Sequence, residues 1–129
     1  MSENRINGET IGFDVYLSEN ILEREATGYS IVRGLLENVP KILGLKPIGG
    51  SMGIFTVPVN GTGLVGHTGM IGLLESHCCV HTWPEKRYIR IEVSSCKRID
   101  VEDVKRAIEY LSVLFQPEAV VRVTNMLWQ

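Results

Sequence analysis

The sequence has no excess of charge of either sign, with 13 basic and 15 acidic residues among 129. A nucleic-acid-binding surface normally carries a basic excess, so that class is not expected. It has no run of about 18–20 uninterrupted apolar residues, the length that a membrane span requires. Met1 to Thr10 is polar and no apolar stretch follows it, so a secretory signal is not expected either. Cysteines are few and odd in number: Cys78, Cys79 and Cys96. Such a set makes no disulfide framework, and free thiols in a reducing cytosol are the expectation. Repeats, linkers and low-complexity tracts are also lacking. A chain of 129 residues falls among ordinary single domains of about 100–150 residues. It is too short for a nucleotide-binding domain plus a substrate domain, so one domain over 1–129 is expected.

Charge is also missing locally. Between Pro47 and Pro84 the only formal charge is Glu75, and nine of the 13 glycines lie between Gly44 and Gly72. Pro58, Asn60, Gly61 and Gly63 interrupt this centre, so it is no membrane helix. Strands buried on both faces would lose the alternation of a half-exposed sheet and read this way. Close approach of backbones to each other or to a ligand would also favour the glycines.

The alternation of Ile11, Phe13, Val15 and Leu17 against Gly12, Asp14 and Tyr16 predicts a first strand over 11–17. Val32, Leu35, Leu36, Val39, Ile42 and Leu43 recur at helical spacing and predict a helix over 29–43, kinked or restarted at Pro40 and stopped at Gly44. Strands are expected within 48–59 and 64–74, over 78–82, and over 87–94 with Ile89, Ile91 and Val93 on one face. Asp100 is placed to cap a last helix whose apolar stripe is Val104, Ala107, Ile108, Leu111, Leu114 and Phe115, ended by Gln116-Pro117. Val120, Val121 and Val123 suggest a final strand. This order predicts an α+β two-layer sandwich, a mostly antiparallel sheet with helices on one face. Its other face, apolar in the centre, is expected to pair sheet-to-sheet with a second subunit.

The segment Glu75-Ser76-His77-Cys78-Cys79-Val80-His81-Thr82-Trp83-Pro84-Glu85 concentrates imidazoles, thiols, a hydroxyl and carboxylates. Three chemistries compete for it. His77, Cys79 and His81 would share one face of a strand, and imidazole with thiolate suits zinc, although a fourth ligand is missing. A cysteine and a histidine could form a nucleophile–base pair. Ser76 could process its own peptide bond.

The segment resembles the signature of the small prokaryotic class of pyruvoyl-dependent S-adenosylmethionine decarboxylases. That pattern is E-S-H-x-x-(I/V)-H-T-W-P-E, followed by a strand and a cysteine at the spacing of Cys96. Every fixed position of it is matched. Gly66-His67-Thr68-Gly69 sits where the family has G-x-(S/T)-G. The resemblance is strong over 66–96, and the element order is consistent elsewhere.

The resemblance implies that Ser76 attacks the carbonyl of Glu75 and becomes an N-terminal pyruvoyl group, dividing the chain into 1–75 and 76–129. His81 would be the base for the elimination, assisted by Thr68. The pyruvoyl group would form a Schiff base with the substrate amine and act as electron sink. Cys96 would be the proton donor, and Glu85 would hydrogen-bond the substrate ribose. No metal is implied. A homodimer, a cytoplasmic location and a role in spermidine and other polyamine biosynthesis are implied. The adenine-stacking aromatic of the family falls on Thr62, so Phe55 would take that role across a reshaped loop. The family's G-x-H opening of the first strand is also replaced. An arginine or ornithine decarboxylase of related type, or an unprocessed regulatory paralogue, is the alternative. Trp83, Pro84, Cys78 and Cys79 read as packing residues. Arg90 and Glu92 read as members of a cross-strand ion pair, or as a charge that recognises a substrate carboxylate.

Overall fold

The computed structural model describes residues 7–115 and 120–127. Its elements run β1 (Glu9–Tyr16), α1 (Glu25–Ile42), β2 (Gly53–Pro58), β3 (Val65–Leu73), β4 (Ser76–Trp83), β5 (Tyr88–Ser95), α2 (Val101–Leu114) and β6 (Val120–Leu127). One six-stranded sheet has the order β2-β3-β4-β5-β1-β6, and every neighbouring pair is antiparallel. The expected α+β two-layer sandwich is found, with the sheet wholly rather than mostly antiparallel.

Strand parity builds the core. Ile11, Phe13 and Val15 of β1, Ile89, Ile91 and Val93 of β5, and Cys78 and Val80 of β4 are buried on the helix side. There they meet Val32, Leu35, Leu36 and Val39 of α1 and Ala107 and Leu111 of α2. Gly69 lets α1 approach β3: a Cβ there would lie 2.6 Å from Val32 and 2.8 Å from Leu36.

Helix α1 starts four residues earlier than its apolar spacing predicts and runs through Pro40 without a restart. Pro40 lies in the last turn, so only Lys41 and Ile42 follow its missing amide in the helix. The end is closed by the Gly44 amide on Lys41 O (3.0 Å) and the Leu45 amide on Pro40 O (2.9 Å). Gly44 takes φ +76° to allow this. Asp100 caps α2, its Oδ1 accepting the Glu102 amide at 2.7 Å. Leu114, expected in the apolar stripe, is 47% exposed. The expected stop at Gln116-Pro117 lies outside the described residues.

The uncharged centre is not buried on both faces of the sheet. The outer faces of β3 and β4 carry Thr68, Met70, His77, Cys79, His81 and Trp83, all exposed or half-buried. That face is polar and aromatic rather than simply apolar. It lacks formal charge because uncharged polar groups hold its places.

Candidate active site

Strands β3 and β4 are joined by the tight turn Leu74-Glu75, and Ser76 opens β4 opposite Leu73 and Ser95. The main-chain carbonyl of Glu75 accepts a hydrogen bond from the Cys96 amide at 2.8 Å. Cys96 follows the end of β5 and is exposed, with a free thiol. The Ser76 hydroxyl lies 3.0 Å from His77 Nδ1. The Glu75 side chain folds back: Oε1 accepts the Lys46 amide at 3.0 Å, and Oε2 lies 3.7 Å from Lys97 Nζ. The Lys46 amide above all, with Lys97, holds this carboxyl below the ordinary range despite partial burial. Glu75 and Ser76 are half-buried and His77 is exposed. The scissile peptide expected by resemblance therefore sits at a hairpin turn.

A second group forms toward the other end of β4. Thr68 and His81 stand directly opposite across β3 and β4, with Thr68 Oγ1 3.1 Å from His81 Nδ1. Trp83 and Pro84 close the strand, Pro84 buried and the Trp83 ring stacked on Tyr88 at 5.1 Å. Glu85 lies in the following 3-10 turn, Pro84–Lys86. A cleft of about 300 Å³ joins Thr68, His81, Trp83 and Glu85, walled by Val57 and Pro58.

Phe55 pairs with Thr68 in the register of β2 and β3, so it stands in the same row as His81, 58% exposed. Strand pairing brings it there without a reshaped loop. Thr62 instead closes the β2–β3 connection, accepting the Leu64 amide (3.0 Å) and donating to Val59 O (2.8 Å).

The two groups do not meet within the chain. Ser76 and His81 are five residues apart on one strand, a separation of roughly 16 Å at about 3.3 Å per residue. The structure brings Glu75, Ser76 and Cys96 together at one end, and Phe55, Thr68, His81 and Glu85 at the other. The single constellation suggested by contiguity in sequence is thus divided.

The row continues across the whole sheet as Phe55, Thr68, His81, Arg90, Asp14 and Arg122. Arg90 Nη1 donates to Asp14 Oδ1 at 2.9 Å, and Tyr88 also donates to Asp14. Burial opposes the charge on Asp14, but the Tyr88 and Arg90 hydrogen bonds prevail and hold its carboxyl below the ordinary range. Gly12 makes room for the guanidinium: a Cβ there would lie 2.2 Å from Arg90 Nη2. The cross-strand ion pair of Arg90 is therefore with Asp14, while Glu92, at 3.9 Å, sits two residues along the same strand.

Cys78 is buried in the core, and burial pushes its thiol far up. Cys79 is half-buried on the outer face, its thiol raised by burial and then by Glu92. Among the described residues, no three His, Cys, Asp or Glu side chains are grouped to hold a metal ion. No described helix is long and apolar enough to cross a membrane. The roles of the Cys96 amide, Lys46 and Lys97 had no signal in the sequence, because they arise from main-chain geometry at a strand end.

A sequence profile of the S-adenosylmethionine decarboxylase family matches residues 15–126. A relative from Persephonella marina described as S-adenosylmethionine decarboxylase proenzyme is 35% identical over 89 residues, covering 69% of this chain and 60% of that one. A proenzyme of the same description from Archaeoglobus fulgidus is 27% identical over 115 residues, covering 88% of this chain and 91% of that one. The chain spans 60% of the Persephonella relative and 40% of one from Sulfurihydrogenibium. The crystal structure of the adenosylmethionine decarboxylase from Aquifex aeolicus is similar with a TM-score of 0.62, at 26% identity, over 93% of this chain and 90% of that one.

Proposed function

The chain belongs to the S-adenosylmethionine decarboxylase family, and from that premise we propose that it is the proenzyme of a pyruvoyl-dependent decarboxylase. It cleaves itself between Glu75 and Ser76 and acts on S-adenosylmethionine. One observation carries the reading. The carbonyl of Glu75 already accepts the Cys96 amide (2.8 Å), with the Ser76 hydroxyl on the next residue. An amide N–H aimed at that oxygen would stabilise the negative charge that grows there during attack.

Attack by Ser76 Oγ forms a C–O bond and breaks the C–N bond, and the serine proton ends on the freed nitrogen. The peptide thus becomes an ester. A base then removes the proton on Ser76 Cα, the Cβ–Oγ bond of Ser76 breaks, and Glu75 leaves as a chain-terminal carboxylate that keeps Oγ. Water hydrolyses the remaining end with loss of ammonia, leaving the pyruvoyl group at residue 76. The open position of Ser76, at a hairpin end beside Cys96, has room for such an end and for a substrate amine. When formed, the group supplies an electron sink for loss of carbon dioxide. Cys96 donates the proton that replaces the carboxylate.

His81 is the base, with Thr68 as its hydrogen-bonded companion. At roughly 16 Å along the strand they cannot serve Ser76 of their own protomer. The reading therefore requires a homodimer in which the outer sheet faces meet across a two-fold axis. Phe55, Thr68, His81 and Glu85 of one protomer then complete the site of Ser76 and Cys96 of its partner. Phe55 stacks on adenine, Glu85 binds the ribose hydroxyls, and the cleft beside Trp83 encloses the nucleoside. The product would donate aminopropyl groups for spermidine in the cytoplasm.

Intact mass tests the reading. Fragments 1–75 and 76–129 are expected, and Ser76→Ala should leave one chain. A purified wild-type chain that stays whole would mark an unprocessed paralogue. Carbon dioxide release from S-adenosylmethionine is expected; release from arginine or ornithine alone would assign the other substrate class.

A further inference from the structure

The connection from α1 to β2 is a strap laid along the end of β3. Leu74 N–H donates to Lys46 O and Ile48 N–H to Gly72 O, both at 2.9 Å. Pro47 is bridged to Leu73. The Ser51 hydroxyl ties the strap down, donating to Ile48 O at 2.7 Å and accepting the Gly72 amide at 2.9 Å. Lys46 therefore spends both main-chain groups on the turn: its carbonyl holds Leu74, and its amide holds the Glu75 carboxylate at 3.0 Å.

From the opposite side, two successive residues hold Glu75. The Cys96 amide takes its carbonyl and the Lys97 ammonium faces its carboxylate. Nothing about a tight turn requires a glutamate side chain turned back on itself. This one is 11% exposed at the side chain, although the turn is open. It is also the only formal charge between Pro47 and Pro84.

We infer that the Glu75 carboxylate is a positioning group for cleavage of its own peptide bond, gripped by the Lys46 amide and Lys97. This rests on the cleavage reading above. A side chain fixed at its tip and a carbonyl fixed on the Cys96 amide together set the rotation of the Glu75–Ser76 peptide plane. That rotation decides whether the carbonyl carbon presents a face to Ser76 Oγ. After the cut the same grip retains the end of the first chain beside residue 76. The reaction is unchanged in its atoms and electrons; Glu75 and Lys97 act only through geometry.

The test is the rate of appearance of fragment 76–129 in freshly refolded full-length chain. Glu75→Ala, which loses a charged hydrogen bond and an ion pair, should slow cleavage about tenfold or more. Lys97→Met should slow it about two- to fivefold, as a half-exposed pair allows. Lys97→Arg should restore most of the rate, because it keeps the charge. The double variant Glu75→Ala with Lys97→Met should be no slower than Glu75→Ala, since both remove one grip. Urea midpoints should stay near wild type for the exposed Lys97 variants. Wild-type rates in Glu75→Ala and Lys97→Met, or no recovery in Lys97→Arg, would overturn the inference while leaving the cleavage reading intact. A wild-type chain that never cleaves would overturn both.

Discussion

The proposed division of the site between two protomers makes an unusual prediction for mixed variants. His81→Ala removes the base and Ser76→Ala removes the nucleophile, so neither chain alone should yield a pyruvoyl-ended fragment. Loss of a general base typically costs about 10²–10⁴ in rate. Within one protomer, Ser76 and His81 stand roughly 16 Å apart along β4, against a hydrogen-bond reach of about 3 Å. In a two-fold dimer each site takes Ser76 from one chain and His81 from the other. Co-expression in equal amounts gives about half mixed dimers by random pairing. Each mixed dimer has one intact site and one that lacks both groups. The intact site holds the Ser76 of the His81→Ala chain. About half of the His81→Ala chains should then appear as a pyruvoyl-ended fragment, while every Ser76→Ala chain stays whole. Distinguishing tags and intact-mass measurement read both fractions. A mixture as inert as its components would refute the shared site, and His81→Ala cleaving alone at the wild-type rate would refute the role of His81.

Phe55→Ala should fold normally, because the ring is exposed. It should raise KM for S-adenosylmethionine, with a loss on the scale of base stacking, about 1–3 kcal/mol; steady-state kinetics checks this. His67 is 1% exposed, with neither ring nitrogen hydrogen-bonded, and burial pushes its pKa below the usual 6.5. The unfolded chain takes up a proton below that value while the folded chain resists it. Stability should therefore fall as pH drops through 6.5 and level off below the folded value, with a limiting slope of about 1.4 kcal/mol per pH unit. Urea melts of wild type and His67→Leu at several pH values should show this loss only in the wild type. Gly69→Ala should destabilise by about 1–3 kcal/mol through overpacking against Val32 and Leu36, read as a lower urea midpoint. Asp100→Ala should cost about 0.5–2 kcal/mol by removing the α2 cap, with no effect on the extent of cleavage.

Periodicity carried the fold well. Ile89, Ile91 and Val93 announce which side of β5 is buried, and Asp100 announces the start of α2. The first turn of α1 had no such signal, because Gly28 serves close packing against His67 rather than an apolar stripe. Leu114 fits the α2 stripe by spacing but falls on its flank and is 47% exposed, while the next residue, Phe115, is buried.

The chemistry was legible as residue types but not as an arrangement. Ser76 and His81 are neighbours in a motif, and a strand turns that short interval into a long distance. Phe55 and Thr68 are far apart in sequence, and antiparallel pairing sets them side by side. Lys46 and Lys97 carry no motif; only the strap and the end of β5 bring them to Glu75.

The sheet order has a consequence for the history of the molecule. Strands β1, β2 and β3 precede the bond between Glu75 and Ser76, while β4, β5 and β6 follow it. The order β2-β3-β4-β5-β1-β6 weaves the two sets together, with β1 lying between β5 and β6. A cut there leaves two chains that cannot part without tearing three strand pairings, β3 with β4, β5 with β1 and β1 with β6. Folding of the uncut chain is a unimolecular event. Refolding after the cut must begin with an encounter between two partners, and so depends on concentration. The proposed maturation would thereby turn a reversible fold into one held by its barrier to unfolding, much as a clasp closes only once.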